Sequence, residues 1–228
     1  MSVNEKMKAI ADAIRDKTKG TEPLTLDGMA AEIPKVFEEG KKAERDAFWK
    51  EYYKTASWAY AFYGLMWNDK NYNPPETIKP ALGTSATAMY QTSTITDTKV
   101  PLDLSGVSNI NYIFYHARQL KTIQDITFPT SGTASSAFSQ CSALENITVS
   151  GSTQISLAFN SCTNLKKASI ESIINSLSST TSGLTLTLSK TAVNTAFGIN
   201  VDDASTYPEG SEYYNLRYSK PKWTFNYA

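Results

Sequence analysis

A chain of 228 residues is long enough to bury a substantial core in one or two domains, and its 41% hydrophobic content, low for a globular protein, is too high for a disordered one. Its 22 basic and 22 acidic residues cancel, so no overall field draws it to nucleic acid or to an anionic membrane. No window approaches the roughly 18 consecutive apolar residues of a membrane span, and "MSVNEKMKAIADAIRDKTKG" lacks the apolar core and cleavage site of a signal peptide; the chain is expected to stay in the cytoplasm until it is assembled.

The composition changes along the chain. Residues 1–54 are rich in Lys, Glu, Asp and Arg, whereas 83–199 are dominated by Ser, Thr, Asn and Leu, which places a boundary near residue 55. Val3, Met7, Ile10 and Ile14 lie on one face of an amphipathic helix over about 3–17, too short for a coiled coil; it either docks on its own chain or forms an oligomer seam. Gly20 and Pro23 break that pattern, "LTLDGMAAEIP" predicts a short helical turn with Asp27 as N-cap, and a longer helix follows from about Lys35 to Thr55. Residues 57–75 then crowd Trp58, Tyr60, Phe62, Tyr63, Trp67 and Tyr72 together. Such rings suit either a stacking surface for sugar or peptide or, the favoured reading, a cap over the end of the following core.

Next comes a repeat. "FYHARQLKTI" from Phe114, "FSQCSALENI" from Phe138 and "FNSCTNLKKA" from Phe159 share the template FxxCxxLxxI at intervals of 24 and 21 residues, with a weaker unit from Tyr90 that has Ser93 in the cysteine place. Repeats of about 20–29 residues with Leu and Asn or Cys at fixed offsets are the signature of a leucine-rich repeat. Ile147 and Val149 point to one face of a short strand, Phe138 fills the space behind it, and Cys141 and Cys162 occupy a turn position where a small, weakly polar side chain lies against backbone groups. "SIESIINSL" predicts a closing helix with Ser169 as N-cap, and "LTLTLS" predicts a last strand added to the same sheet. The tail, with Tyr207, Tyr213, Tyr214, Tyr218, Trp223, Phe225 and Tyr227 among Pro, Asn and Gly, reads as an irregular cap or a binding edge.

Catalytic signals are sparse. His116 is the only histidine, and with Cys141 and Cys162 it lacks both the paired close ligands of a zinc motif and the surroundings of a Cys-His nucleophile. GxSxG, GxxxxGK[ST], HExxH and GxGxxG do not occur, and "NVDD" at 200–203 lacks the Gly and distal Glu of a calcium loop. No catalytic residue, metal ligand or cofactor site is assigned.

The FxxCxxLxxI units resemble the BspA-like, or Treponema pallidum type, class of leucine-rich repeat. The opening "IADAIRDKT...LTLDGMAAEI", with "AFYG" and "LTLTL", is similar to proteins encoded beside tail genes in phages and prophages of Firmicutes, and over the last forty or so residues only "KWT" at 222–224 is similar to a common ending. The expected fold is α+β, an N-terminal helical segment followed by a short leucine-rich-repeat solenoid with irregular aromatic-rich caps. The expected domains are an attachment and oligomerisation module over 1–56, an aromatic-rich cap over 57–89, the repeat solenoid with capping helix and final strand over 90–190, and a cap or binding edge over 191–228.

The resemblance implies a non-enzymatic virion protein, associated with a tail fibre or baseplate. Its helices would meet other tail proteins and a homo-oligomer, with threefold symmetry as the expectation, and its repeats would bind a host-surface glycan or protein. The rival is a bacterial surface or secreted adhesin of the same repeat class, which calls for an export signal or wall anchor. Candidate ligand-binding residues are Trp67, Tyr112, Tyr115, Arg118 and Tyr214, as outward or end-capping aromatic and cationic side chains. Neither nucleic acid nor membrane insertion is expected.

Overall fold

A computed structural model describes residues 76–80 and 82–228. The helices expected before residue 56, the aromatic stretch 57–75 and Trp67 lie outside the described residues. The elements, in order, are β1 (Leu102–Asp103), β2 (Thr122–Thr127), β3 (Asn146–Ser150), β4 (Leu157–Phe159), α1 (Lys167–Ser176), β5 (Leu184–Leu188), α2 (Lys190–Phe197), a 3-10 turn (Ala204–Thr206), α3 (Glu212–Tyr218) and β6 (Trp223–Tyr227).

The expected leucine-rich-repeat solenoid with irregular caps is corrected by this arrangement. The strands fall into two separate parallel sheets of three strands each, in the orders β1-β2-β3 and β4-β5-β6, accompanied by three α-helices among the described residues. One physical cause of the break is legible in the hydrogen bonds beyond β3. The Ile147 amide donates to Ser169 Oγ at 3.0 Å and the Val149 amide to Ser172 Oγ at 2.8 Å, so helix α1 takes up the edge that a fourth strand would need. Ser169, expected to cap α1, is drawn into this long-range role and also donates to the Glu145 carbonyl at 2.9 Å. Lys166 is the N-cap residue instead, without a side-chain cap.

The "LTLTL" strand forms as its alternation predicts, but in the second sheet, where Leu186 faces both Leu157 and Phe225 in register. The tail is also more regular than expected. Ser189 and Ser211 cap α2 and α3 through their side chains. Trp223 is held by its indole N–H on the Ser178 carbonyl at 2.9 Å, and Lys220 Nζ donates to the carbonyls of Asn175 and Leu177 at 2.9 and 2.7 Å, where the exposed carbonyls of α1 favour a cation.

The repeated phenylalanines mark real packing. Tyr90, Phe114, Phe138 and Phe159 are all fully buried and form one stack, with successive ring centroids 5.2, 5.5 and 4.3 Å apart. Beside the stack, backbone amides of one turn donate forward to carbonyls of the next: Tyr90 to Ile113 and Phe114 to Ala137, at 2.7 and 2.9 Å. Residues one repeat apart therefore lie one above the other.

These turns adopt a backbone that their side chains do not advertise. Ala88 and Thr92, Tyr112 and His116, and Ser136 and Gln140 all have φ between 53° and 63°, the left-handed region that non-glycine residues adopt at a cost. In the first two pairs the forward bonds offset that cost, since the amides of Ala88, Thr92, Tyr112 and His116 each reach a carbonyl of the following turn. Among the described residues no helix is long and apolar enough to cross a membrane.

Candidate functional site

Among the described residues the forward ladder stops beyond Phe114 and His116. Ile110, Tyr112, Phe114 and His116 donate to Thr133, Ser135, Ala137 and Ser139, but the corresponding amides one repeat on, those of Ala134, Ser136, Phe138 and Gln140, meet no carbonyl acceptor among the described residues. This is also where the repeat shortens from 24 to 21 residues. With three residues fewer, the next turn stays close at the Phe138–Phe159 stack and does not keep pace with the preceding turn away from it.

The result is an open groove of about 610 Å³, lined by residues 130–136 on one side, 154–158 on the other, and Leu184, Thr185 and Thr187 of β5. That volume lies within the roughly 300–1,000 Å³ common for ligand sites. Hydroxyl groups of Thr130, Ser131, Thr133, Ser135, Ser136, Ser156, Thr185 and Thr187 surround it, the buried Ile155 and Leu157 supply apolar surface, and among the described residues the lining holds no ionisable side chain. Gly132 shapes the first wall: its φ of 113° and close approach to the Ser108 carbonyl leave no room for a Cβ.

Nothing in the sequence singles out the groove, where Ser and Thr stand out only as composition. The candidate residues fall elsewhere. Tyr112, 42% exposed, meets the half-buried Tyr115 edge-on with centroids 5.5 Å apart, and the exposed Arg118 donates to the Gln140 side chain. Tyr115 also packs on His116 at 4.0 Å; His116 is half-buried and its Nε2 has no hydrogen-bond partner among the described residues. Tyr214 belongs to a second cluster, 4.3 Å from Tyr218, which Arg217 overlies at 5.2 Å from the ring. None of these residues lines the groove.

The repeated cysteines are free and buried. Cys141 Sγ donates to the Phe114 carbonyl at 3.0 Å and Cys162 Sγ to the Phe138 carbonyl at 3.7 Å, the backbone contact that the turn position calls for. Burial pushes the Cys141 thiol from 9.0 up to about 12 and raises that of Cys162, with the neighbouring Cys141 adding to the rise. Neither is suited to act as a thiolate nucleophile near neutral pH. Among the described residues no group of three or more His, Cys, Asp or Glu side chains is placed to hold a metal ion.

A group whose folded pKa is raised releases its proton first in the unfolded chain, so its contribution is fully present below the unfolded value and is lost as pH rises. Denaturant melts should show constant stability up to about pH 8.5 and a fall of about 1.4 kcal/mol per pH unit for each thiol above pH 9. Replacing both cysteines by Ala should lower stability at neutral pH and flatten that fall, with Tyr213 and Tyr227, also raised by burial, contributing what remains. An unchanged alkaline slope in the double variant would count against the buried-thiol account.

Set beside known proteins, the chain matches no family model, no curated protein and no solved structure.

Proposed function

We propose that the protein is a non-enzymatic virion component, associated with a phage tail fibre or baseplate, that binds a molecule of the host surface. The observation that carries recognition rather than catalysis is the groove itself. Among the described residues it offers many hydroxyls, backbone donors without an acceptor, and apolar surface, with no side chain of a kind that moves protons at neutral pH. The virion setting rests on the sequence resemblance of the opening segment and of the repeats. In this reading residues 1–56 attach to other tail proteins and to copies of the same chain, and the tyrosines around Tyr112 and Tyr214 provide secondary contacts.

Adsorption of the labelled full-length protein to Firmicutes cells and to their purified walls tests the proposal. Ser131→Trp, at an exposed position of the groove, should reduce adsorption about tenfold or more. Tyr112→Ala and Tyr214→Ala should have smaller effects. Adsorption unaltered by Ser131→Trp, or none by the unsubstituted protein, sinks the reading.

A further inference from the structure

The interrupted ladder has a chemistry of its own. In the two preceding steps of the stack, alternate amides of one turn are paired with carbonyls of the next. At the groove the same alternate amides, those of Ala134 and Ser136, lie in one wall and meet no acceptor among the described residues. The intervening amides are already engaged: Thr133 donates to the Ser108 carbonyl, Ser135 to Asn111 Oδ1 and Ala137 to the Ala134 carbonyl. The free donors thus form an alternating row with one sense.

The facing wall is complementary in kind. β4 is the outer strand of its sheet, paired with β5 on one side and with no strand or bridge on the other among the described residues. Ala134, Ser136, Ser156 and Ala158, small or hydroxylated, alternate along the two walls with larger residues such as Ile155 and Leu157 and leave the main chain within reach. Among the described residues no aromatic ring lines the groove to stack on the face of a sugar, and no charge lines it to hold an ion.

The geometry points to a main-chain binding site: the groove takes an extended, uncharged peptide segment, whose carbonyls accept from the Ala134 and Ser136 amides while its other edge lies along β4. This deepens the recognition reading of the same groove and rests on it, adding the class of ligand. The occupant restores the ladder that the shortened repeat leaves open, and main-chain pairing supplies affinity with little demand on sequence, as in other additions of a strand to a free edge. The left-handed Ser136, whose amide lacks the forward bond that its counterpart Tyr112 makes, gains that bond on binding.

The full-length protein, labelled for amide resonances, is titrated with three probes: an end-blocked hexapeptide of alternating Ser and Val, the same sequence with alternate amides replaced by esters, and the neutral glucan cellohexaose. The hexapeptide should shift the Ala134, Ser136 and Phe138 amides and slow their exchange, and the ester analogue should bind about tenfold more weakly. Equal affinity of peptide and ester analogue overturns main-chain pairing. Shifts at these amides with cellohexaose alone make the groove a glycan site and overturn the peptide assignment, and no shift with any probe overturns it as well. Adsorption separates this inference from the function it rests on. Loss of adsorption in Ser131→Trp with an inert hexapeptide leaves host binding standing and removes the peptide, whereas peptide binding without adsorption does the reverse.

Discussion

Phe138→Ala is expected to lower the unfolding free energy by about 3–5 kcal/mol, the range for removing a buried aromatic ring. The ring is fully buried, stacks between Phe114 at 5.5 Å and Phe159 at 4.3 Å, and meets Phe128 edge-on at 6.0 Å, so its loss opens a void in the middle of the stack. Against a total stability of about 5–15 kcal/mol for a typical domain, that is a large fraction. Denaturant titration should show a lower midpoint with an unchanged slope. Phe138→Leu, which keeps most of the volume, should cost less than half as much. A loss below about 1 kcal/mol for the alanine variant would mean that the rings do not act as one packed column.

Gly132→Ala should be nearly as damaging, for a different reason. A methyl group there would lie 1.9 Å from the Ser108 carbonyl oxygen and 2.6 Å from its carbon. That carbonyl cannot easily retreat, because it accepts the Thr133 amide at 3.1 Å while the Ser108 amide donates to Thr84 at 3.1 Å. Steric conflict and a φ of 113° together should cost roughly 2–5 kcal/mol and displace one wall of the groove. Gly183→Ala provides the control, since Gly183 has φ 75° but nothing within 4 Å of the added carbon; its cost should be about 1–2 kcal/mol, from backbone strain alone. Equal thermal shifts for the two variants would refute the steric account.

Much of the local order was legible because it depends on near neighbours. The isoleucines of "SIESIINSL" follow helical spacing and are buried in α1, and the leucines of "LTLTL" at 186 and 188 follow strand spacing and are buried in β5. The cysteine and phenylalanine positions were legible for a similar reason, since a fixed offset brings like residues together in successive turns. What the sequence hid was decided at longer range. Ser169 carries the local mark of an N-cap, yet its hydroxyl serves the Ile147 amide 22 residues away. The same contact occupies the edge of β3 on which a further strand would pair, so the end of the first sheet is written in a long-range bond that local patterning does not carry. The turns at Ala88, Tyr112 and Ser136 contain no glycine to announce a positive φ. For the groove the signal was present, in the drop from 24 to 21 residues, but spacing alone does not say which hydrogen bonds a shorter turn forfeits.

That drop makes the recess a matter of chain length more than of side-chain identity. Exchanging one small hydroxylated residue for another along residues 130–136 or 154–158 would retune what the cleft prefers and leave its outline in place, because the backbone path that opens it is set by how many residues lie between Phe138 and Phe159. Substitution and insertion then act on different properties. The first adjusts selectivity on a standing cleft, and the second, by a change of about three residues between Phe138 and Phe159, creates the cleft or erases it.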